Sequence, residues 1–462
     1  MKRREMPVLL AAVVLLLIGI SIKAWGYSHA VVVAGVLLRV LGVAALMVWA
    51  ALRRSLTPWI VVAMIAGAEL GLDAPGIAVQ THFLSDIFLR LVKTIVAPLI
   101  LVTLVSGIAG HGELKSIGRM GLKSLLYFEV LTTLALVIGL VAINISKAGV
   151  GMVIPAAVGA APVTAAAPMH WQDFLVHVVP ENIAKSIAEG QVLQVAVFAL
   201  LFGMALASVP LAKREPVLRL TESISEVMFR FTNIVMYFAP IGVGAAMAYT
   251  IGAMGPGVLV HLGKLLLTFY AAIAGFVLLV LLPVALIAKV PLRRFIKHVS
   301  TPATIAFATA TSEAALPRAM EEMEALGVPR RILSFVIPAG YSFNLDGSTL
   351  YLSMAMVFVA QAAGVHLALG EQIFILLTLM LSSKGVAGVP RAVLVVMLAT
   401  AATVHLPTEP ILVILGIDAL MDMGRTAINV IGNCLASVVI ARWEGVFGEE
   451  SPSLAVEEAI AE

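Results

Sequence analysis

The chain has 462 residues, of which 61% are hydrophobic and only 12% charged, with a formal net charge of +3. Soluble domains carry about 25% charged residues. Here the apolar residues gather into segments roughly 20 long, which excludes a soluble or disordered chain and predicts an all-α polytopic membrane protein. The basic residues cluster in connections such as 213–219 and 289–297, where they set topology and imply no nucleic-acid partner. The single cysteine, Cys434, excludes an internal disulfide and argues against a thiolate metal cluster, so core packing is its expected role.

Read in chain order, MKRREM and the apolar run 7–20 have the form of a signal peptide. Residues 21–26 (SIKAWG) offer no small-x-small cleavage site, so a retained helix is expected. Five spans are predicted before residue 150, at 7–25, 30–52, 57–72, 86–109 and 124–145. With Lys2, Arg3 and Arg4 cytoplasmic, pairs of crossings return Arg53 and Arg54, and then Lys115, Arg119 and Lys123, to that side. The Ala/Pro/Gly-rich stretch 150–168 reads as an external connection ahead of an amphipathic stretch at 171–189. Helices resume at Val192, with further long spans expected at 224–251, 258–287, 332–363 and 410–441. Residues 444–462 read as an acidic, solvated, cytoplasmic tail.

Two segments are too short and broken to cross simply: 301–326, containing TATSEAALP, and 373–404, containing SSKGVAGVP. Each has a Ser/Thr-containing tip ending in Pro, and each precedes a long helix interrupted by polar residues. Hairpin plus helix thus occurs twice, as expected of an inverted repeat with the substrate at its interface near mid-membrane. Arg293, Arg294 and Lys297 precede the first hairpin and Arg330 and Arg331 follow it, whereas the second is flanked only by Glu371, His405 and Glu409. That asymmetry predicts two re-entrant hairpins opening on opposite sides as paired gates.

The polar residues inside apolar segments carry the chemistry. Asp418, Asp422, Arg425, Asn429 and Asn433, with Thr426, are spaced by four, three, four and four residues along one helix face. Charges at membrane depth are costly and survive where they face a protein interior or a water-filled cavity. Arg425 suits a bidentate pair with a substrate carboxylate and Asp422 suits an ammonium group, a combination that fits an acidic amino acid. The plainer reading is an internal Asp422–Arg425 salt bridge; Asp418 is the candidate for a supporting role.

In PAGYSFNLDGSTLY, Asn344, Asp346, Gly347 and Ser348 interrupt a helix, exposing carbonyls beside a carboxylate, which predicts a sodium or proton site. An ordinary N-x-D-G turn is the alternative. At the first tip, amides and the hydroxyls of Thr311 and Ser312 suit carboxylate oxygens. Glu313 and Lys384 are either a pair across a closed gate or solvated charges, one on each tip. Glu129, with Thr132 and Thr133 a turn away, is either a proton carrier or a partner in an interior hydrogen bond. Arg39, alone in the second span, either snorkels or faces a neighbour.

Taken in order, TSEAALP, NLDGS, SSKGVAGVP and DMGRTAINVIGN resemble the dicarboxylate/amino acid:cation symporter family, which includes the glutamate transporters. RLVKTIVAPLI from Arg90 and VPENIAKSIAEGQVLQVAVFALLFG from Val179 resemble further family segments, and the resemblance covers about 57–443. It implies a glutamate-transporter-like fold, a homotrimer in the lipid bilayer, and a transport domain that slides like an elevator against a fixed scaffold. It places substrate among Thr311, Ser312, Ser348, backbone at Val389 and Pro390, Asp422, Arg425, Thr426 and Asn429. The implied cation positions are Gly340, Asn344, Asp346, Asn429, Asn433, Thr132 and Thr133, with Na+ at Asn344 and Asp346.

Two departures separate this chain from the sodium-coupled amino acid carriers, which resemble it otherwise. They have an Asp where this chain has Asn433, and a Tyr-x-x-Thr-Ser pattern where it reads YFEVLTT from Tyr127. SEAALP, NLDGS and Asn433 are closer to the proton-linked and C4-dicarboxylate branches, while Asp422 favours an amino group. The expected function is import of aspartate or glutamate with protons or sodium, the alternative being a C4-dicarboxylate such as succinate. Beyond the coupling ion no cofactor is expected, and the missing GxSxG, HExxH and P-loop patterns argue against an enzyme. The expected organisation is an additional helix pair at 1–55, a scaffold mainly at 56–112 and 150–255, and a transport domain mainly at 113–149 and 256–443. The expected location is the cytoplasmic membrane, with both termini cytoplasmic.

Overall fold

The computed structural model describes residues 5–25, 29–53, 56–109, 118–152, 176, 179–189, 192–382, 392–404 and 406–448. Regular structure among these residues is helical throughout, as hydrocarbon requires when every backbone group must bond within its own segment. Among the described residues seven helices are long and apolar enough to cross a membrane, or up to eight when a bent pair counts as one span.

The first five predicted spans appear, within a few residues, as α1 (Glu5–Trp25), α2 (His29–Arg53), α3 (Leu56–Asp73), α5 (His82–Ala109) and α6 (Gly118–Ser146), with the short α4 (Pro75–Gln80) between α3 and α5. Most of 150–168 lies outside the described residues, as do 171–175, 177 and 178 of the amphipathic stretch 171–189; that stretch contributes α7 (Ile183–Ala188), which Asn182 caps by accepting from the amides of Ala184 and Lys185. Next come α8 (Val192–Ser208), α9 (Leu211–Met236) and α10 (Ala239–Met254). The single span expected at 224–251 is therefore corrected to two helices, broken at Tyr237 and Phe238. Pro240 in the first turn of α10 has no N–H to continue the ladder, although hydropathy runs through the break. α11 (Val258–Phe276) passes through a π-helical stretch, Val277–Leu281, into α12 (Leu282–Ile287). Pro283 opens α12, and the wider turn before it accommodates the missing donor.

The first predicted hairpin is α13 (Leu292–Thr309) and α14 (Leu316–Leu326), joined through a short 3-10 turn. Its arms are tied by His298 Nδ1 and Glu322 Oε2, 2.6 Å apart, with Arg318 Nη2 2.6 Å from Glu322 Oε1. The span expected at 332–363 is α15 (Arg330–Phe343) and α16 (Asp346–Ala362), separated by Asn344 and Leu345. The second hairpin provides α17 (Leu369–Ser382) and α18 (Ala392–Thr403); the tip between them lies outside the described residues. The last expected span divides at Gly416 and Ile417 into α19 (Glu409–Leu415) and α20 (Asp418–Glu444).

Two compact units are described separately. The first comprises Met1–Leu91, Ile234–Val260 and Leu412–Ala419. In it α2 packs against α1 and α3, and α10 runs along α3 and α4. Ala12, Leu46, Ala50 and Val62 form a buried cluster across α1, α2 and α3. A side chain at Gly67 would collide with the Gly244 backbone, so α3 and α10 approach as closely as small-residue membrane interfaces allow.

The second unit comprises Val92–Asn233, His261–Ile411 and Leu420–Glu462. α16 packs on α6, α17 and α18, and nearly every one of its side chains is buried. Lys123 at the start of α6 reaches the far end of α20, with Nζ 2.6 Å from Glu444 and 5.2 Å from the centre of the Trp443 ring. Cys434 is buried in α20, in the packing role expected of it.

Candidate functional site

The break between α15 and α16 builds the centre of the site. Asn344 and Leu345 leave helical geometry, with φ −115 and ψ 71 at the first and φ −100 and ψ 55 at the second. A helix that starts inside a protein exposes amides needing acceptors. At α16 they are taken by a side chain from another helix, since Gly347 N–H donates to Asn429 Oδ1 at 2.8 Å and Ser348 N–H to the same oxygen at 3.3 Å. Asn429 Nδ2 in turn donates to Ser348 Oγ at 3.0 Å. A Cβ at Gly347 would run into the Arg425 backbone, so glycine is what lets the start of α16 lie against α20.

One turn earlier on α20, Arg425 and Asp422 are 4% and 5% exposed. Arg425 Nε donates to Asp422 Oδ1 at 2.7 Å and Nη2 lies 2.6 Å from the same oxygen. Thr426 Oγ1 donates to it at 3.3 Å. The guanidinium carbon stands 5.6 Å from the centre of the buried Tyr351 ring, which meets Phe269 edge-on at 5.8 Å. Cation–π contact of this kind contributes about 0.5–2 kcal/mol, more as the pair is desolvated. Sequence reasoning left Tyr351 unassigned; its signal was its position three residues after Ser348, on the face of α16 that carries the polar interruption.

A second corner suits a cation. Asn344 Nδ2 donates to Asn433 Oδ1 at 3.1 Å and to Asp346 Oδ2 at 3.3 Å, and all three residues are fully buried. Asn344 Oδ1 and Asn433 Nδ2 have no partner among the described residues, so the corner holds an unused buried oxygen beside a carboxylate. Hard oxygen ligands of this kind suit a sodium ion or a proton rather than a thiophilic metal. Gly340 and Gly432 make room, because a Cβ would strike Asn433 Oδ1 at the first and Asp346 Oδ2 at the second. The Gly340 carbonyl accepts the Asn344 N–H at 2.8 Å. No group of three or more His, Cys, Asp or Glu poised to hold a metal occurs among the described residues.

The other predicted site residues lie apart from these contacts. On α6, Thr132 Oγ1 donates to the Phe128 carbonyl at 2.8 Å and Thr133 Oγ1 to the Glu129 carbonyl at 2.7 Å, so these threonines bond the backbone of the helix. Glu129 itself is half-buried. At the first tip Thr311 bonds locally, its hydroxyl 3.1 Å from that of Thr309, and both Thr311 and Ser312 are half-buried. Val389, Pro390 and Lys384 lie outside the described residues, as does the side chain of Glu313. Asp418 opens α20 within the first unit and is fully buried.

Comparison with known proteins finds relatives over most of the chain. The model of the sodium:dicarboxylate symporter family matches residues 56–443. The chain is 44% identical over 404 residues to a C4-dicarboxylate transport protein of Solibacter usitatus, covering 86% of this chain and 94% of that one. It is 42% identical over 382 residues to a proton/sodium-glutamate symport protein of Geobacillus stearothermophilus, covering 81% and 90%. It is 43% identical over 383 residues to a proton/glutamate-aspartate symporter of Escherichia coli K12, covering 81% and 87%.

Proposed function

The chain belongs to the sodium:dicarboxylate symporter family, and on that premise we propose that it is a secondary symporter importing aspartate or glutamate, driven by protons, sodium or both. One observation carries the reading: a buried cation and a buried anion, Arg425 and Asp422, three residues apart on α20 and one turn from Ser348 and Asn429. Arg425 takes the side-chain carboxylate and Asp422 the amino group, exchanging their mutual pair for the opposite charges of the substrate. The Thr311 and Ser312 tip and the Val389 amide supply donors for the remaining oxygens, while Pro390, which has no N–H, offers only its carbonyl. The coupling ion is cargo, held where Asn344, Asp346 and Asn433 converge.

In this reading 301–326 and 373–404 are re-entrant gates. A transport domain of mainly 113–149 and 256–443 moves in the cytoplasmic membrane against a scaffold of mainly 56–112 and 150–255, in a homotrimer. Glu129 is the candidate proton carrier. A second reading, import of a C4-dicarboxylate, is favoured by Asp422 already having Arg425 and Thr426 as partners, so it does not require a substrate ammonium. The relatives support both readings, since some are named for glutamate and others for C4-dicarboxylates.

The test is uptake of labelled aspartate into proteoliposomes under an inward proton or sodium gradient, with excess unlabelled succinate present. Uptake that resists succinate supports the amino acid reading and identifies the ion; accumulation of labelled succinate in place of aspartate transfers the assignment to C4-dicarboxylates. Arg425→Ala is expected to lower acidic-substrate uptake at least about 100-fold, the loss of a charge-assisted bidentate pair worth about 3 kcal/mol, at unchanged expression. Wild-type rates in that variant would remove Arg425 from the site.

A further inference from the structure

The family match begins at residue 56, and the two helices before it are held by a buried charge. Arg39 lies near the middle of α2 and is 1% exposed, so of the two expectations for it, facing a neighbour holds and snorkelling does not. Its Nη1 pairs with Glu69 Oε2, and its Nη2 donates to Asp73 Oδ1 and Oδ2 at 3.0 and 2.9 Å. Both carboxylates are on α3, inside the family segment, whereas their guanidinium comes from outside it.

The register follows from an antiparallel turn. Arg39 precedes the end of α2 at Arg53 by about 14 residues, and Glu69 follows the start of α3 at Leu56 by about 13. At 1.5 Å per residue the pair sits roughly 20 Å from the α2–α3 connection, within the thickness of a hydrocarbon core. α2 and α3 are each long and apolar enough to span it. α1 closes the other side: a Cβ at Gly19 would collide with the Arg39 side chain and the Gly35 carbonyl, and one at Gly42 with Leu16. Ala12, Leu46, Ala50 and Val62, with Leu9, Leu16 and Trp49 against them, pack the same three helices together.

We propose that the N-terminal helix pair is a resident intramembrane partner of α3, and that Arg39 is the positioning residue that holds it there. A guanidinium in α2 and two carboxylates in α3 are each costly in hydrocarbon alone. Paired, they make the two helices interdependent, so α1–α3 is one charge-clamped module. The Arg39 side chain is 2% exposed and those of Glu69 and Asp73 are 17% and 25% exposed, so removing one sign of this partly buried cluster is worse than removing both, because the remaining charge keeps its desolvation cost.

The test uses the full chain with a protease site inserted between Arg53 and Leu56. After cleavage of the purified protein in mild detergent, the fragment carrying α1 and α2 is expected to co-elute with the remainder, even at about 1 M salt, where exposed pairs are screened. In Arg39→Gln the co-eluting fragment is expected to fall at least tenfold. Gly19→Leu keeps every charge and wedges α1 away from Arg39, and is expected to release the fragment as well. If Arg39→Gln accumulates poorly, the triple variant Arg39→Gln, Glu69→Gln, Asp73→Asn removes both signs and is expected to restore accumulation to within twofold of wild type. Undiminished co-elution in Arg39→Gln, or a triple variant that accumulates no better than Arg39→Gln alone, overturns the proposal. None of these readouts depends on what the protein transports.

Discussion

Arg425 directs both Nε and Nη2 to one oxygen of Asp422, a pairing that differs from the two-oxygen geometry a guanidinium can bind. A ligand carboxylate offers two oxygens in the matching geometry, and in the proposed function it is the substrate that would displace the internal pair. The cation corner turns on residue 433. An Asn433→Asp variant would bring a second carboxylate to the nitrogen that Asp346 Oδ2 already accepts from, Asn344 Nδ2. Two carboxylates so placed repel unless a cation or proton joins them. Uptake by Asn433→Asp is therefore expected to depend several-fold more steeply on external sodium at fixed pH, measured as initial rate across a sodium series. An unchanged sodium curve would separate residue 433 from ion coupling. Asp422, Arg425 and Asn433 stood out in the sequence because each is polar in an apolar context; Tyr351 did not, because an aromatic in an apolar helix looks like packing until its ring is seen under a guanidinium.

At the scale of elements, the site exists because α15, α16 and α20 approach more closely than helices with ordinary side chains at the contact would. Gly432 admits Asp346 Oδ2, and Gly340 admits Asn433 Oδ1. Gly432→Ala is expected to destabilise the protein by about 1–3 kcal/mol, the usual cost of an extra methyl group in a tight core, read as a lower unfolding temperature in detergent together with weakened ion dependence. A variant that melts and transports like wild type would show that α16 and α20 can separate without loss. The interruption of α15–α16 was legible from Asn344, Asp346 and Gly347, since short polar residues and glycine compete with helix. The break at Tyr237 and Phe238 was not: hydropathy is continuous there, and only the backbone shows where the ladder stops ahead of Pro240.

At the scale of the molecule, the family segment 56–443 accounts for the candidate site, whose described contacts all lie in the second unit. The charge-clamped module of α1–α3 lies in the first. The proposed elevator needs a static body to move against, and the proposed trimer would supply it by fixing three scaffolds to one another. Native mass spectrometry of the reconstituted protein is expected to give three copies, and a monomer with full uptake would remove the trimer from the proposal.

The sequence by itself determined the membrane class, the positions of most spans and the identity of the polar stripe. Hydrophobic length and the cost of isolated charges in hydrocarbon are local properties that composition records directly. Only the tertiary structure decided who meets whom: that Asn429 caps α16, that Tyr351 backs Arg425, and that Arg39 reaches Glu69 and Asp73. Those pairings depend on helix register and on which glycines allow close approach, and a one-dimensional pattern holds neither until the helices are packed.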